Sequence, residues 1–373
     1  MSFALPVSVL DQSPVSEGST GAAALANTVD LACLVDDLGY HRYWVAEHHG
    51  MPMLASPSPE VLIASIAART SRIRVGSGGV MLPHYSPLKV AETFSMLSGL
   101  YPGRIDLGLG RAPGSDQQTM IALQRDRRQR APDDFPDQLD ELLAYLEDRF
   151  PERHPLARLA RLPGRPEAPE VWLLGSSAQS AIWAAELGLP YAFADFINPA
   201  GAPLARAYRE RFAPSDRLPA PHVAVAVSVI CADTDVEAEH LGASQRMAIS
   251  MLRRGHPIEV PPVEKARRFL ADDPAADAAA DARRVIKGSP ATVRAGLEQV
   301  AGDYAADEVV IVTITHDHAA RRRSYELVAA ELGLDAVPPA TQPGSDPLRP
   351  GAVPERESVG LERDARGRDI ASG

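Results

Sequence analysis

The chain has 373 residues, enough for eight βα units of about 250 residues in total plus embellishments. Its net charge of −11 speaks against nucleic acid or an anionic membrane as partner, since both need a basic face. Its two cysteines, Cys33 and Cys231, sit in apolar stretches, read as small core residues, and exclude a zinc cluster or a disulfide scaffold.

The first strand-like run covers 3–10, and an Ala/Leu-rich amphipathic stretch follows it to Leu38-Gly39-Tyr40. Gly39 suits the position just past a helix end, because it takes positive φ without a Cβ penalty. The second run is 42–46, followed by a helix pattern over 59–69. The third, 73–77, leads into Gly78-Gly79 and a helix pattern over 87–100. The fourth is 104–109, followed by a polar section over 110–132 and a helix near 133–150. Runs at 171–174, 191–194, 222–231 and 308–314 precede helix patterns near 177–187, 203–211, 236–253 and 319–332.

This alternation gives a parallel sheet, and Val/Ile/Leu-rich runs without polar alternation suit strands covered on both faces. Eight such units predict an α/β fold, a closed (β/α)8 TIM barrel, with an open doubly wound sheet as the alternative. Residues 255–288, rich in Pro, Ala and Asp, read as an insertion before the last unit, after which Ser289-Pro290 opens another helix. The tail, 335–373, lacks apolar periodicity and is expected to be disordered, leaving a barrel domain over 1–334. The opening residues have no basic segment followed by an apolar one, and no run of about 18 apolar residues occurs, so a cytoplasmic location without a membrane span is expected.

Barrel active sites lie at the C-terminal ends of the strands. Glu47-His48-His49 follows the second run, and a histidine there can serve as general acid or base near neutrality. Hydrogen-bonding loop histidines are the plainer alternative; a metal pair lacks further ligands at suitable spacing, so no metal is expected. Ser77-Gly78-Gly79 ends the third run, and paired glycines in a strand mark a bulge or a backbone approached closely by a ligand such as a flat ring. Arg111 offers a planar fork suited to phosphate, unless it is simply a solvated charge. Gly175-Ser176-Ser177 opens a helix whose free N–H groups and dipole favour an anion, or else forms an ordinary N-cap. Ser177 and Ser180, three apart, can face the same point. His316-Asp317-His318 reads as a loop with a polar cap on the last helix. The chain lacks GxGxxG after a strand, a P-loop and a GxSxG elbow, which argues against a Rossmann dinucleotide site, an NTPase and an elbow hydrolase.

The stretches RYWVAEHHG (42–50), RVGSGGVMLPHYSPLKVAE (74–92), RIDLGLGRAPG (104–114) and GSSAQSAIWAAELGLP (175–190) together resemble the bacterial luciferase-like flavin monooxygenases, through most of 3–334. The resemblance implies reduced FMN from a separate reductase, which reacts with O2 to a C4a-hydroperoxide and oxygenates an organic substrate, a polyketide-type natural product or an aldehyde. It implies His48 as the catalytic residue and a non-prolyl cis peptide at Gly78-Gly79 against the flavin ring, with Ser77 beside it. Arg111, Ser177 and Ser180 are implied as phosphate contacts, with Gly175 and Ser176 in the same loop, and a homodimer is implied as the assembly. Light-emitting members carry an acidic residue where Ser176 stands and a reactive cysteine where Gly110 stands, so the sequence is more similar to the natural-product tailoring branch, with a role in antibiotic biosynthesis. Alternatives are a relative that uses the deazaflavin F420 for hydride transfer, a flavin-binding protein without catalysis, and a metal-dependent barrel hydrolase. The substrate pocket is expected to take its walls mainly from 110–132 and 255–288.

Overall fold

All eight runs become strands of one parallel barrel. In the computed structural model, which describes residues 3–111, 117–123, 134–159, 168–273 and 284–334, the strands are β1 (Val7–Asp11), β2 (Arg42–Val45), β3 (Arg74–Met81), β4 (Ile105–Gly110), β5 (Glu170–Gly175), β6 (Tyr191–Ala194), β7 (Val223–Cys231), β8 (Val285–Gly288) and β9 (Glu308–Val312). Their order is β6-β5-β4-β3-β2-β1-β9-β7, and a β6–β7 pairing closes the ring. The closed ring excludes the open doubly wound sheet.

One strand was not expected. β8 lies inside the stretch read as an insertion and pairs with Ser228–Cys231, beyond the Val223–Ala226 segment of β7 that pairs with β6. Four residues with two apolar side chains, set beside an Ala/Asp-rich stretch, give too short a period to read. The same stretch holds helix α9 (Val263–Asp272), packed on α8 (Asp235–Arg253). The expected tail, 335–373, and the segments 112–116 and 124–133 lie outside the described residues.

Strand alternation divides the barrel into two shells. Odd-numbered residues such as Val9, Tyr43, Val75, Leu107, Val225 and Ile311 face the helices and share one core with Leu31, Ile63 and Phe94. Even-numbered Leu10, Trp44, Trp172, Ala192, Ala226 and Val310 face the barrel axis and form a second cluster. The outer helices start where the sequence supplies caps: Thr20, Ser177, Thr234 and Asp317 each accept a backbone N–H of the first turn. Asp317 fulfils the cap expected from His316-Asp317-His318. Ser289 makes no side-chain cap bond, and Pro290 opens α10 (Pro290–Tyr304). Gly39 takes φ of 85° as expected. Cys231 is buried in the core, whereas Cys33 is only half-buried.

The lower end of the barrel is plugged by ions on the same even-numbered positions. The Arg42 guanidinium bonds Asp106 at 3.0 Å, Glu308 at 3.0 Å and Glu170 at 3.2 Å, while Arg74 Nε donates to Asp106 Oδ1 at 2.8 Å. Burial opposes charge on Glu308, but His222 at 3.6 Å, Arg42 and the Ser8 hydroxyl overcome it and hold its carboxyl at about 2. Trp44 and Trp172 form the next layer, edge to face at 5.2 Å. Every buried charge in this plug has a partner, as burial demands. Ligand space is therefore left at the C-terminal mouth.

Candidate active site

Above the tryptophan layer the inward positions become small: Gly78, Gly110, Ala46, Ala192, Ala194 and Ala226. Small side chains there leave a cavity of about 260 Å³ at the mouth. Its walls include His48, Gly78, Gly79, Arg111, Gly175, Ser176, Ser177 and Ser180, so eight of the nine residues singled out from the sequence converge. Ser77 does not join them. It is an odd-numbered position, fully buried, and its hydroxyl donates to the Gly108 carbonyl at 2.9 Å.

The Gly78–Gly79 peptide is cis, and the β3–β4 register shifts between Gly78 and Val80, so the bulge reading also holds. Both glycines sit in tight surroundings, Gly79 against backbone. A Cβ at Gly78 would lie 2.5 Å from Leu10 Cδ1, and one at Gly79 would lie 2.8 Å from the Gly108 carbonyl oxygen. The result is bare main chain facing the cavity beside Trp44, a surface on which a flat ring can lie.

Glu47 fixes this edge of the site. Its carboxylate is fully buried and accepts from Met81 N at 2.9 Å, Tyr85 OH at 2.9 Å and His49 Nε2 at 2.7 Å. It thereby ties the loop after β2 to the end of β3, immediately past the two glycines. Burial, reinforced by Glu47, raises the Tyr85 hydroxyl, which stays a donor. His49 is spent on Glu47, and no group of three or more metal-ligating side chains exists among the described residues. His48 differs. Its backbone N–H donates to the Ser56 carbonyl at 2.9 Å, while its Nδ1 is buried and has no partner among the described residues. Burial and the neighbouring His49 hold its pKa at about 4, so the imidazole is neutral near physiological pH.

The opposite wall is the start of α6 (Ala178–Glu186). Ser177 caps it, its Oγ accepting from Ser180 N at 3.4 Å and lying 3.3 Å from Ser180 Oγ. Ser180 is buried and its hydroxyl reaches the Ser177 carbonyl and Tyr191 OH, both at 2.9 Å, so it braces the turn as well as lining the cavity. A Cβ on Gly175 would lie 2.2 Å from Ser180 Oγ, which explains the glycine. Exposed Arg111 lies over the Trp183 ring at 5.5 Å, at the rim beside this helix start. A planar fork, a hydroxyl and the positive end of a helix thus meet on one wall of the cavity, a combination able to hold an anion.

Sequence reasoning missed four residues. Gln12 lines the cavity from the inward side of β1's end. The preceding Asp11 faces outward, bonds Arg321 at 2.6 Å and accepts the Ser13 N–H at 2.7 Å. Asn198 Nδ2 donates to the Ser176 carbonyl at 3.0 Å and steadies the serine loop. Glu47 was seen only as part of a histidine motif. Gln245 on α8 borders a second cavity of about 200 Å³ that shares Gln12, His48, Phe196 and Ile197 with the first. That second cavity draws on Met51, Met53, Ile249, Leu252 and Ile314 among others, and among the described residues of the segments expected to supply pocket walls only Val285 contributes.

A profile of the luciferase-like monooxygenases matches residues 5–307. Uncharacterized protein YwcH of Bacillus subtilis is 49% identical over 325 residues, covering 86% of this chain and 97% of that protein. N-acetyl-S-alkylcysteine monooxygenase of the same organism is 39% identical over 325 residues, covering 87% and 97%. Among solved structures, apo-MsnO8 superposes with a TM-score of 0.82 at 42% identity, covering 89% of this chain and 98% of that one. Two more distant structures share the fold. The oxygenating constituent of 3,6-diketocamphane monooxygenase from Pseudomonas putida, in complex with FMN, has a TM-score of 0.64 at 22% identity, covering 88% and 98%. An F420-dependent secondary alcohol dehydrogenase has a TM-score of 0.62 at 12% identity, covering 88% and 99%.

Proposed function

Because the chain belongs to the luciferase-like monooxygenase family, we propose that its barrel mouth binds reduced FMN and uses it with O2 to oxygenate a small organic molecule. The observation that carries this reading is convergence on one cavity of bare main chain at Gly78-Gly79, an unpartnered buried His48 Nδ1, and a serine-capped helix start faced by Arg111. The cavity fits the cofactor: glycine and alanine walls accept the ring, and the α6 start accepts the phosphate. Bound reduced flavin would supply two electrons, so that one oxygen atom enters the substrate and the other leaves as water.

The residues have separate tasks in this proposal. Gly78-Gly79 positions the ring, and Arg111, Ser176, Ser177 and Ser180 hold the phosphate end. His48, neutral at working pH, exchanges a hydrogen bond or a proton at Nδ1 with the reacting groups. The tryptophan layer and the ion plug keep water from entering from below. A separate reductase delivers reduced FMN in this proposal, and the sequence carries no GxGxxG nicotinamide fingerprint after a strand. The proposal includes a cytoplasmic location, and no helix among the described residues is long and apolar enough to cross a membrane. It also includes a homodimer. Val61, Met96 and Leu100, on the neighbouring helices α2 (Pro59–Ala67) and α3 (Pro87–Leu100), are 67%, 53% and 58% exposed, an apolar face suited to a second copy. A tailoring role in antibiotic biosynthesis belongs to the same proposal.

The test is oxygen uptake with photoreduced FMN across a substrate panel, using labelled O2. Incorporation of one labelled atom into a product is expected. Tight binding of F420 with none of FMN would favour the hydride-transfer alternative, and FMN binding without any turnover would favour a flavin carrier.

A further inference from the structure

We infer that the second cavity is the substrate chamber, and that it selects a small, uncharged, largely apolar molecule carrying one polar group, bound at Gln245 and Ser228. This rests on the FMN reading of the first cavity. The two cavities touch through Gln12, His48, Phe196 and Ile197. The first is floored by Ala226 and Val310, the second by Ser228 and Val312, one pleat further along β7 and β9. The second chamber therefore sits immediately nearer the mouth, with His48 in the shared wall.

Its chemistry is one-sided. Apart from Gln12, His48, Ser228 and Gln245, its walls are apolar, and among the described residues no carboxylate, lysine or arginine lines it. His48 is uncharged there for the reasons given above. An ion entering would lose water without a counter-charge, at prohibitive cost. Gln245 and Ser228 are 4% and 3% exposed, and the Gln245 Nε2 donates to Ser228 Oγ at 2.8 Å. In either orientation of the amide, this pair offers a donor and an acceptor but no charge. Volume sets the size. An apolar cavity of about 150 Å³ takes benzene, so 200 Å³ takes a molecule about a third larger. A compact molecule of about eight non-hydrogen atoms matches this volume.

The test uses hexanamide and hexanoate, a neutral and a charged molecule with the same number of non-hydrogen atoms. Ligand-observed NMR titrations are run near neutral pH on the full chain with and without FMN, beside a fluorescence titration of FMN itself. Hexanamide is expected to bind at least about tenfold tighter than hexanoate. Gln245→Leu should weaken hexanamide about three- to tenfold, and Ile249→Trp should abolish its binding by filling the chamber, both with FMN affinity intact. Dodecanamide should gain nothing over hexanamide. Equal or tighter binding of hexanoate, hexanamide binding unaltered by Ile249→Trp, or much tighter binding of dodecanamide would overturn the inference. Absence of FMN binding with amide selectivity intact would overturn the cofactor reading alone.

Discussion

Replacing Arg111 by alanine should separate FMN from riboflavin, because only FMN carries the phosphate. The side chain is exposed and stacks over Trp183 at 5.5 Å, beside the Ser177-capped start of α6. A hydrogen bond to a charged group contributes about 1.5–3 kcal/mol when shielded from water. Solvent screening at an exposed guanidinium cuts this to about 1 kcal/mol. At about 1.4 kcal/mol per tenfold, FMN affinity should fall about fivefold. Riboflavin affinity should hold within about twofold, since the ring end of the cavity is untouched. Arg111→Lys, which keeps the charge but loses the fork, should fall between. Parallel fluorescence-quenching titrations with both ligands read the difference, and raising ionic strength should narrow it. Equal losses for the two ligands, or no loss for FMN, would refute the placement of the phosphate at this helix start.

His48→Gln should lower substrate-dependent oxygen uptake at least about 100-fold while leaving the FMN Kd within about threefold, as befits a group that handles protons rather than affinity. With its pKa held at about 4, His48 should give the kcat/KM profile of the parent enzyme no inflection at the ordinary histidine value of 6.5. Gly108→Ala places a Cβ 2.2 Å from the Ser77 carbonyl oxygen, so it should cost about 1–3 kcal/mol, read in a denaturant titration as a lower midpoint at unchanged slope. Glu308 sits near 2 in the folded chain against an ordinary 4.5. Its contribution of about 3 kcal/mol is therefore complete above pH 4.5 and drains away as pH falls toward 2, so the stability gap between the parent and Glu308→Gln should close on acidification.

The barrel was legible because each run carried its own apolar code and several helices their own stop or cap signals. Gly39 and Asp317 behave as local chemistry dictates. The convergence at the mouth was legible too, since strand ends of a barrel share one rim. What failed depends on parity and distance. A run such as 73–77 does not say which of its alternate residues points inward, and Ser77 proved to face the helices while Gly78 faces the cavity. Gln12 stands two residues past inward-facing Leu10, a signal available only once the register of β1 is known. Glu47 owes its role to Met81 and Tyr85, more than thirty residues away. Gln245 lies mid-helix, where nothing local distinguishes a chamber wall from a solvated face.

The central claim is that FMN occupies the mouth between Gly78-Gly79 and α6. Its most direct test is an FMN titration of the parent chain and of Ala194→Phe, whose new ring would enter the first cavity from β6. The expected result is saturable quenching in the parent, its loss in the variant, and matching circular dichroism and melting curves for the two. Undiminished FMN binding by a folded Ala194→Phe protein would contradict it.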